Sequence, residues 1–209
     1  MAKVNAILFD MDGVLVDARE WHYEALNYAL KHFGAEITPY EHETTFDGLP
    51  TKEKLNMLSD LGKLPYGLHS IVSKMKQDRT KSLIELNCRP IYDIEYLFSK
   101  LKSHGYKIGL CSNSVRSSIV RMMELSSLIK YFDLILSNED VKKSKPDPEI
   151  YIKAMQKLNL SPNSTLIVED NENGIKAAKS SMAEVLVVKD PYELNWDLVS
   201  NKISRINNQ

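Results

Sequence analysis

Two aspartates, Asp10 and Asp12, end an apolar run that begins at Val4 and is broken only by Asn5. In an extended chain residues i and i+2 leave the same face, so these carboxylates repel one another unless a cation or a shared proton lies between them. Gly13 follows and lets the chain turn through a conformation that a Cβ disfavours. Alone, Asp-x-Asp-Gly is as readily a simple turn. A calcium loop fits poorly, because Val14, Leu15 and Val16 stand where such a loop needs oxygen ligands. Three more polar groups come near the ends of short apolar runs: Ser112-Asn113, Lys145 and Glu169-Asp170. Each has a plain reading, as a helix cap, a solvated lysine face and a turn before a capped helix. Together they are the parts of a phosphoryl-transfer site: oxygen ligands for Mg²⁺, a nucleophile, and positive charge with donors for phosphoryl oxygens.

A parallel sheet would bring these groups together, because ligands of such sheets bind beyond the carboxyl ends of the strands. The apolar runs Lys107–Cys111, Phe132–Leu136, Thr165–Val168 and Val185–Val188 predict strands. They alternate with predicted helices at Tyr92–His104, Val115–Leu125, Pro148–Leu158 and Glu172–Ser181, the rhythm of βαβ units. Between residues 17 and 88 the pattern is helical only. Trp21, Ala25, Leu26, Ala29, Leu30 and Phe33 share a face before Gly34, Pro50-Thr51 opens a second helix, and Leu68–Leu86 forms a third with Ile71, Val72, Met75, Leu83, Ile84 and Leu86 on or near one face. The expected fold is α/β, a Rossmann-like parallel-sheet core of residues 1–16 and 89–209 with an inserted α-helical cap domain of residues 17–88. Asn201–Gln209 reads as a polar end.

Asp10-Met11-Asp12-Gly13-Val14-Leu15-Val16-Asp17, the strand ending in Ser112, Lys145-Pro146-Asp147-Pro148-Glu149-Ile150-Tyr151 and Val168-Glu169-Asp170-Asn171-Glu172-Asn173-Gly174-Ile175 follow one another in that order. They resemble the four motifs of the haloacid dehalogenase superfamily, and the helical insert is similar to the cap of its subgroup holding phosphoglycolate phosphatases, sugar-phosphate phosphatases and beta-phosphoglucomutase. The dehalogenases themselves resemble this chain less, since they lack the second aspartate.

The resemblance implies a Mg²⁺-dependent phosphatase of small phosphate monoesters, sugar phosphates first. Asp10 would attack phosphorus and become an aspartyl phosphate, and Asp12 would protonate the leaving oxygen and then deprotonate water. Ser112, the amides near Asn113 and Lys145 would hold the phosphoryl oxygens. Mg²⁺ would lie on the Asp10 carboxylate, the Asp12 backbone carbonyl and Asp170, with Glu169 as a further ligand or a support behind them. In the cap, His22, the loop Gly48-Leu49-Pro50-Thr51-Lys52 and Lys76 are the substrate-facing candidates. His22 and Lys76 match positions that couple cap closure to catalysis in beta-phosphoglucomutase. Thr51, with Lys52 beside it, stands where that enzyme carries an arginine, and lysine lacks arginine's bidentate geometry. Hydrolysis is therefore expected ahead of a hexose-phosphate mutase. A non-catalytic phospho-ligand-binding domain is the reading from another class, and every catalytic position being filled argues against it.

Composition narrows the partners. Of 209 residues, 27 are basic and 28 acidic, a balance that offers nothing to nucleic acid or an anionic membrane. No apolar run approaches the roughly 20 residues of a membrane span. Two cysteines, Cys88 and Cys111, lack neighbouring histidines at a metal-binding spacing and suit a reducing compartment. A cytoplasmic monomer acting on a small phosphorylated metabolite is expected.

Overall fold

The computed structural model describes residues 3–208; Met1, Ala2 and Gln209, at the ends of the expected core-domain ranges, lie outside them. Among the described residues five parallel strands form one sheet: β1 (Ala6–Phe9), β2 (Lys107–Cys111), β3 (Leu134–Leu136), β4 (Thr165–Glu169) and β5 (Glu184–Val187), in the order β3-β2-β1-β4-β5. β1 lies at the centre and is buried along its whole length, which accounts for an apolar run without alternation. Side chains leave its two faces by turns. Ile7 and Phe9 join a core with Ile108, Leu110, Leu166 and Val168, whereas Leu8 packs on the opposite face with Cys111, Leu136 and Ile167.

Helices cover both faces. In chain order they are α1 (Arg19–Lys31), α2 (Pro39–Glu41), α3 (Thr51–Asp60), α4 (His69–Asn87), α5 (Tyr92–Ser103), α6 (Arg116–Leu125), α7 (Glu149–Leu158), α8 (Glu172–Ser180) and α9 (Trp196–Asn207). α5, α6 and α9 pack on the Phe9 face, and α7 and α8 on the Leu8 face. After β3 the chain crosses to the far side of β1, so strand order switches direction beside β1. That is where an open parallel sheet leaves a crevice.

Helices α1–α4 hold an apolar cluster of their own, built on Leu26, Leu30, Ile37, Phe46, Leu55, Leu58 and Val72. Inside it Asn27 is buried without penalty, because its amide donates to the Ile37 carbonyl at 2.8 Å and accepts from the Ile37 amide at 2.9 Å. Two expectations need correction here. On α4, Ile71 and Leu86 face solvent, and the buried face carries Lys76 and Thr80 beside Val72, Leu83 and Ile84. The polar end is also the second half of a helix: α9 buries Val199 and Ile203, and Asn207 accepts from the Val4 amide at 2.9 Å.

Candidate active site

The strand register assembles the first group of side chains. Phe9 pairs with Leu110 on one side and Val168 on the other, so Asp10 and Glu169 come at one level and Ser112 and Asp170 follow one residue beyond it. The Asp10 amide donates to the Val168 carbonyl at 3.0 Å and keeps its side chain at that edge. Lys145 arrives from the loop after β3, where its amide donates to the Asn113 side chain at 3.1 Å. The Asn113 amide group in turn donates to the Gly48 carbonyl, at 2.8 Å. Ser112 and Asn113 therefore do not cap α6, which starts after Val115 with no side-chain cap.

Lys145 Nζ donates to Asp10 Oδ1 at 2.6 Å and to Glu169 Oε1 at 2.7 Å, and only 2% of the residue is exposed. Glu169 is wholly buried and also accepts from the Tyr151 hydroxyl and from the Asp170 amide. Its oxygens are thus committed to protein donors. Asp170 pairs with Arg19 Nη2 at 2.7 Å. Burial and the neighbouring carboxylates Glu169, Asp170 and Asp12 push the Asp10 carboxyl well above its ordinary value, against Lys145. Burial and Glu169 push Asp170 up to about 6.

Negative charge is in excess here, and one oxygen from each of Asp10, Glu169 and Asp170 lies within 4.8 Å of the others. An all-carboxylate donor set with uncompensated charge fits Mg²⁺, a hard cation, better than zinc. Gly13, at φ +84, has the turn its position demands, and a Cβ there would overlap the Asp170 carboxylate and the Arg19 guanidinium.

Asp12 is held from the other side. Its Oδ1 accepts from His22 Nε2 at 3.1 Å and its Oδ2 from the Ser114 hydroxyl at 2.8 Å. His22 Nδ1 accepts from Lys76 Nζ at 3.3 Å, which selects the tautomer with the proton on Nε2. Burial, against the Asp12 charge but with that of Lys76, keeps His22 below its ordinary value, so at neutral pH it is a neutral donor. Burial alone would raise Asp12, but His22, Ser114 and Lys76 outweigh it and hold the carboxyl below the usual range.

Between these groups and helices α1, α3 and α4 lies a cavity of about 330 Å³. Among the described residues, every buried side-chain nitrogen or oxygen without a partner belongs to a residue on its wall: Arg19, His42, Gln77, Ser118 and Asn138. Polar atoms so placed await a polar ligand, since unpaired burial is costly.

Residues 7–188 match the family model described as haloacid dehalogenase-like hydrolase. The chain is a member of that family. It is 28% identical over 181 residues, 87% of this chain and 83% of the relative, to a phosphorylated carbohydrates phosphatase of Thermotoga maritima. It is 26% identical, over 89% of this chain and 84% of the relative, to the pyrophosphatase PpaX of Bacillus mycoides. Among solved structures, beta-phosphoglucomutase from Clostridium difficile superposes with a TM-score of 0.85 at 26% identity, covering 99% of this chain and all of that one (100%).

In this haloacid dehalogenase-like hydrolase all the residues singled out in the sequence converge, with differences of rank. Asp10, Asp12, Ser112, Asn113, Lys145, His22, Thr51, Lys52 and Lys76 line the cavity. Glu169 and Asp170 lie behind Asp10. Lys52 is the peripheral one, exposed on α3, while Lys54 on the opposite side of that helix is 8% exposed and faces the cavity. Sequence reasoning missed Lys54, Arg19, Ser114 and Tyr151. Tyr151 stood inside a motif quoted for other residues, and Ser114 directly follows the Ser112-Asn113 pair. Lys54 and Arg19 carried no signal beyond their charge.

Proposed function

We propose that this enzyme is a Mg²⁺-dependent phosphatase of small phosphate monoesters, phosphorylated sugars first, working as a cytoplasmic monomer with residues 17–88 as its cap. The observation that carries the reading is the division of labour around Asp10. One carboxylate, backed by Lys145, is free of other donors on the cavity side, and a second, Asp12, is oriented by His22 and Ser114 a short way off. The Thermotoga relative, named for phosphorylated carbohydrates, agrees with the substrate class.

Asp10 attacks phosphorus, and its Oδ bond to phosphorus forms as the ester oxygen leaves. Asp12 delivers a proton to that oxygen and then takes one from the water that opens the acyl phosphate, which frees phosphate and regenerates Asp10. Lys145 and Ser112 steady the phosphoryl oxygens as charge shifts among them. Mg²⁺, held by Asp10, the Asp12 carbonyl and Asp170, with Glu169 behind, would offset the repulsion between an anionic nucleophile and a dianionic phosphate.

A mutase is the second reading, favoured by the chain Lys76–His22–Asp12, which ties the cap to the proton-transfer group, and by the likeness to beta-phosphoglucomutase. Phosphate release from glycolate phosphate, hexose 6-phosphates and β-glucose 1-phosphate, with and without Mg²⁺ and in Asp10→Asn, decides between them. Metal-dependent release lost in Asp10→Asn is expected. Conversion of β-glucose 1-phosphate into glucose 6-phosphate with little free phosphate would overturn hydrolysis in favour of the mutase.

A further inference from the structure

Residues 47–50, the turn that leads into α3, reach the strand ends, and two side-chain amides of the core hold them there. Asn173 Nδ2 donates to the Asp47 carbonyl at 3.1 Å, and Asn113 Nδ2 donates to the Gly48 carbonyl at 2.8 Å. The approach is close. Gly48 stands at φ +70, and a Cβ there would overlap the side-chain amide of Asn171. Asn113 also grips the backbone of Lys145. Its Oδ1 accepts from the Lys145 amide at 3.1 Å, and its Nδ2 lies 3.3 Å from the Lys145 carbonyl. One N–H and two carbonyls surround the Asn113 amide, so its oxygen must face the Lys145 N–H and its nitrogen the two carbonyls.

Lys145 itself lies in a turn outside every helix and strand, yet its ammonium must arrive between Asp10 and Glu169. Among the described residues no hydrogen bond other than those to Asn113 holds its amide or its carbonyl. We infer that Asn113 is a positioning residue that makes the placement of Lys145 depend on the docking of the Gly48 turn. With the turn down, three partners lock the Asn113 side chain, and that side chain fixes the Lys145 backbone. With the turn lifted, Asn113 loses its shortest bond and is free to rotate, and Lys145 loses the support that aims it at Asp10. The effect on rate rests on the role proposed for Lys145 at the phosphoryl oxygens. The link from Gly48 through Asn113 to Lys145 does not.

The test is acetylation of lysines by acetic anhydride, read by mass spectrometry, in the wild type, Asn113→Ala, Gly48→Ala and the double variant, with thermal melts showing that each is folded. Lys76 lines the same cavity and reports access alone, whereas Lys145, held between two carboxylates, reports its own placement. Asn113→Ala and Gly48→Ala should each raise labelling of Lys145 relative to Lys76 about tenfold, the worth of one hydrogen bond. The double variant should do no more than Asn113→Ala alone, because both changes act through one contact. Additive effects, equal rises at Lys145 and Lys76, or a Lys145 as protected in Gly48→Ala as in the wild type would overturn the link. In turnover both substitutions should lower kcat about tenfold or more with a smaller change in KM, and a change confined to KM would count against positioning. Reduced kcat with Lys145 still protected sinks the link alone. Lys145 released in both variants, while the wild type frees phosphate from no ester, sinks the phosphatase reading alone.

Discussion

Replacing Lys54 by Met keeps the unbranched stem in the cavity wall and removes the ammonium. In the unfolded chain this lysine keeps its proton up to pH 10.5, and in the folded protein it releases it at about 8. Between those values the unfolded state binds more protons, so wild-type stability rises with pH across the window. Below pH 8 the folded protein carries the whole penalty, and a depression from 10.5 to about 8 corresponds to about 3 kcal/mol. Lys54→Met should therefore raise the unfolding free energy by up to about 3 kcal/mol at pH 7, or about 6–12 °C in Tm for a chain of this size. The gain should shrink as pH rises past 8 and vanish above 10.5. Urea denaturation of both proteins at pH 7 and pH 9.5 measures it. A neutral or destabilising Lys54→Met at pH 7, or a gain as large at pH 9.5, would refute the claim that burial strains this ammonium.

Three other outcomes follow from the same geometry. Lys145→Ala should lower phosphate release on the order of 10²-fold and cost about 3–5 kcal/mol in urea denaturation, because Asp10 and Glu169 are left buried with no cation between them. Arg19 occupies an Asp170 oxygen, so Arg19→Ala should tighten Mg²⁺ binding about twofold to fivefold in calorimetry, the modest gain expected of a partly exposed pair; unchanged or weaker binding would show that the two do not compete. His22→Ala removes a donor that holds Asp12 below its ordinary value. Its kcat should fall about 10²-fold, and the acidic limb of the kcat profile, which reports the ionised Asp12 needed to take a proton from water, should move to higher pH.

The strands and most helices were legible because burial writes itself into short apolar runs and helical spacing. β1, β2 and β4 were read to within a residue or two, since strands covered on both faces leave few alternatives. α9 was missed because Asp197, Asn201, Lys202 and Arg205 break up Trp196, Val199, Ile203 and Ile206, and a terminal helix needs only one narrow stripe to dock. The apolar face of α4 was misplaced for a different reason. That helix borders the cavity, so part of its buried surface is polar, and Ile71 and Leu86 could be spared to solvent.

What the sequence by itself determined is the set of groups at and just beyond strand ends, Asp10, Asp12, Ser112, Glu169 and Asp170, because a parallel sheet places such ends together, with Lys145 on the loop that follows β3. Only the tertiary structure decided which oxygens are already taken, with Glu169 spent on Lys145 and Tyr151 and Asp12 shared by His22 and Ser114. It also decided between Lys52 and Lys54. Residues two apart on a helix point about 200° away from each other, and which of them meets the substrate depends on how α3 docks against the sheet, a relation between segments distant in the chain that no local pattern encodes.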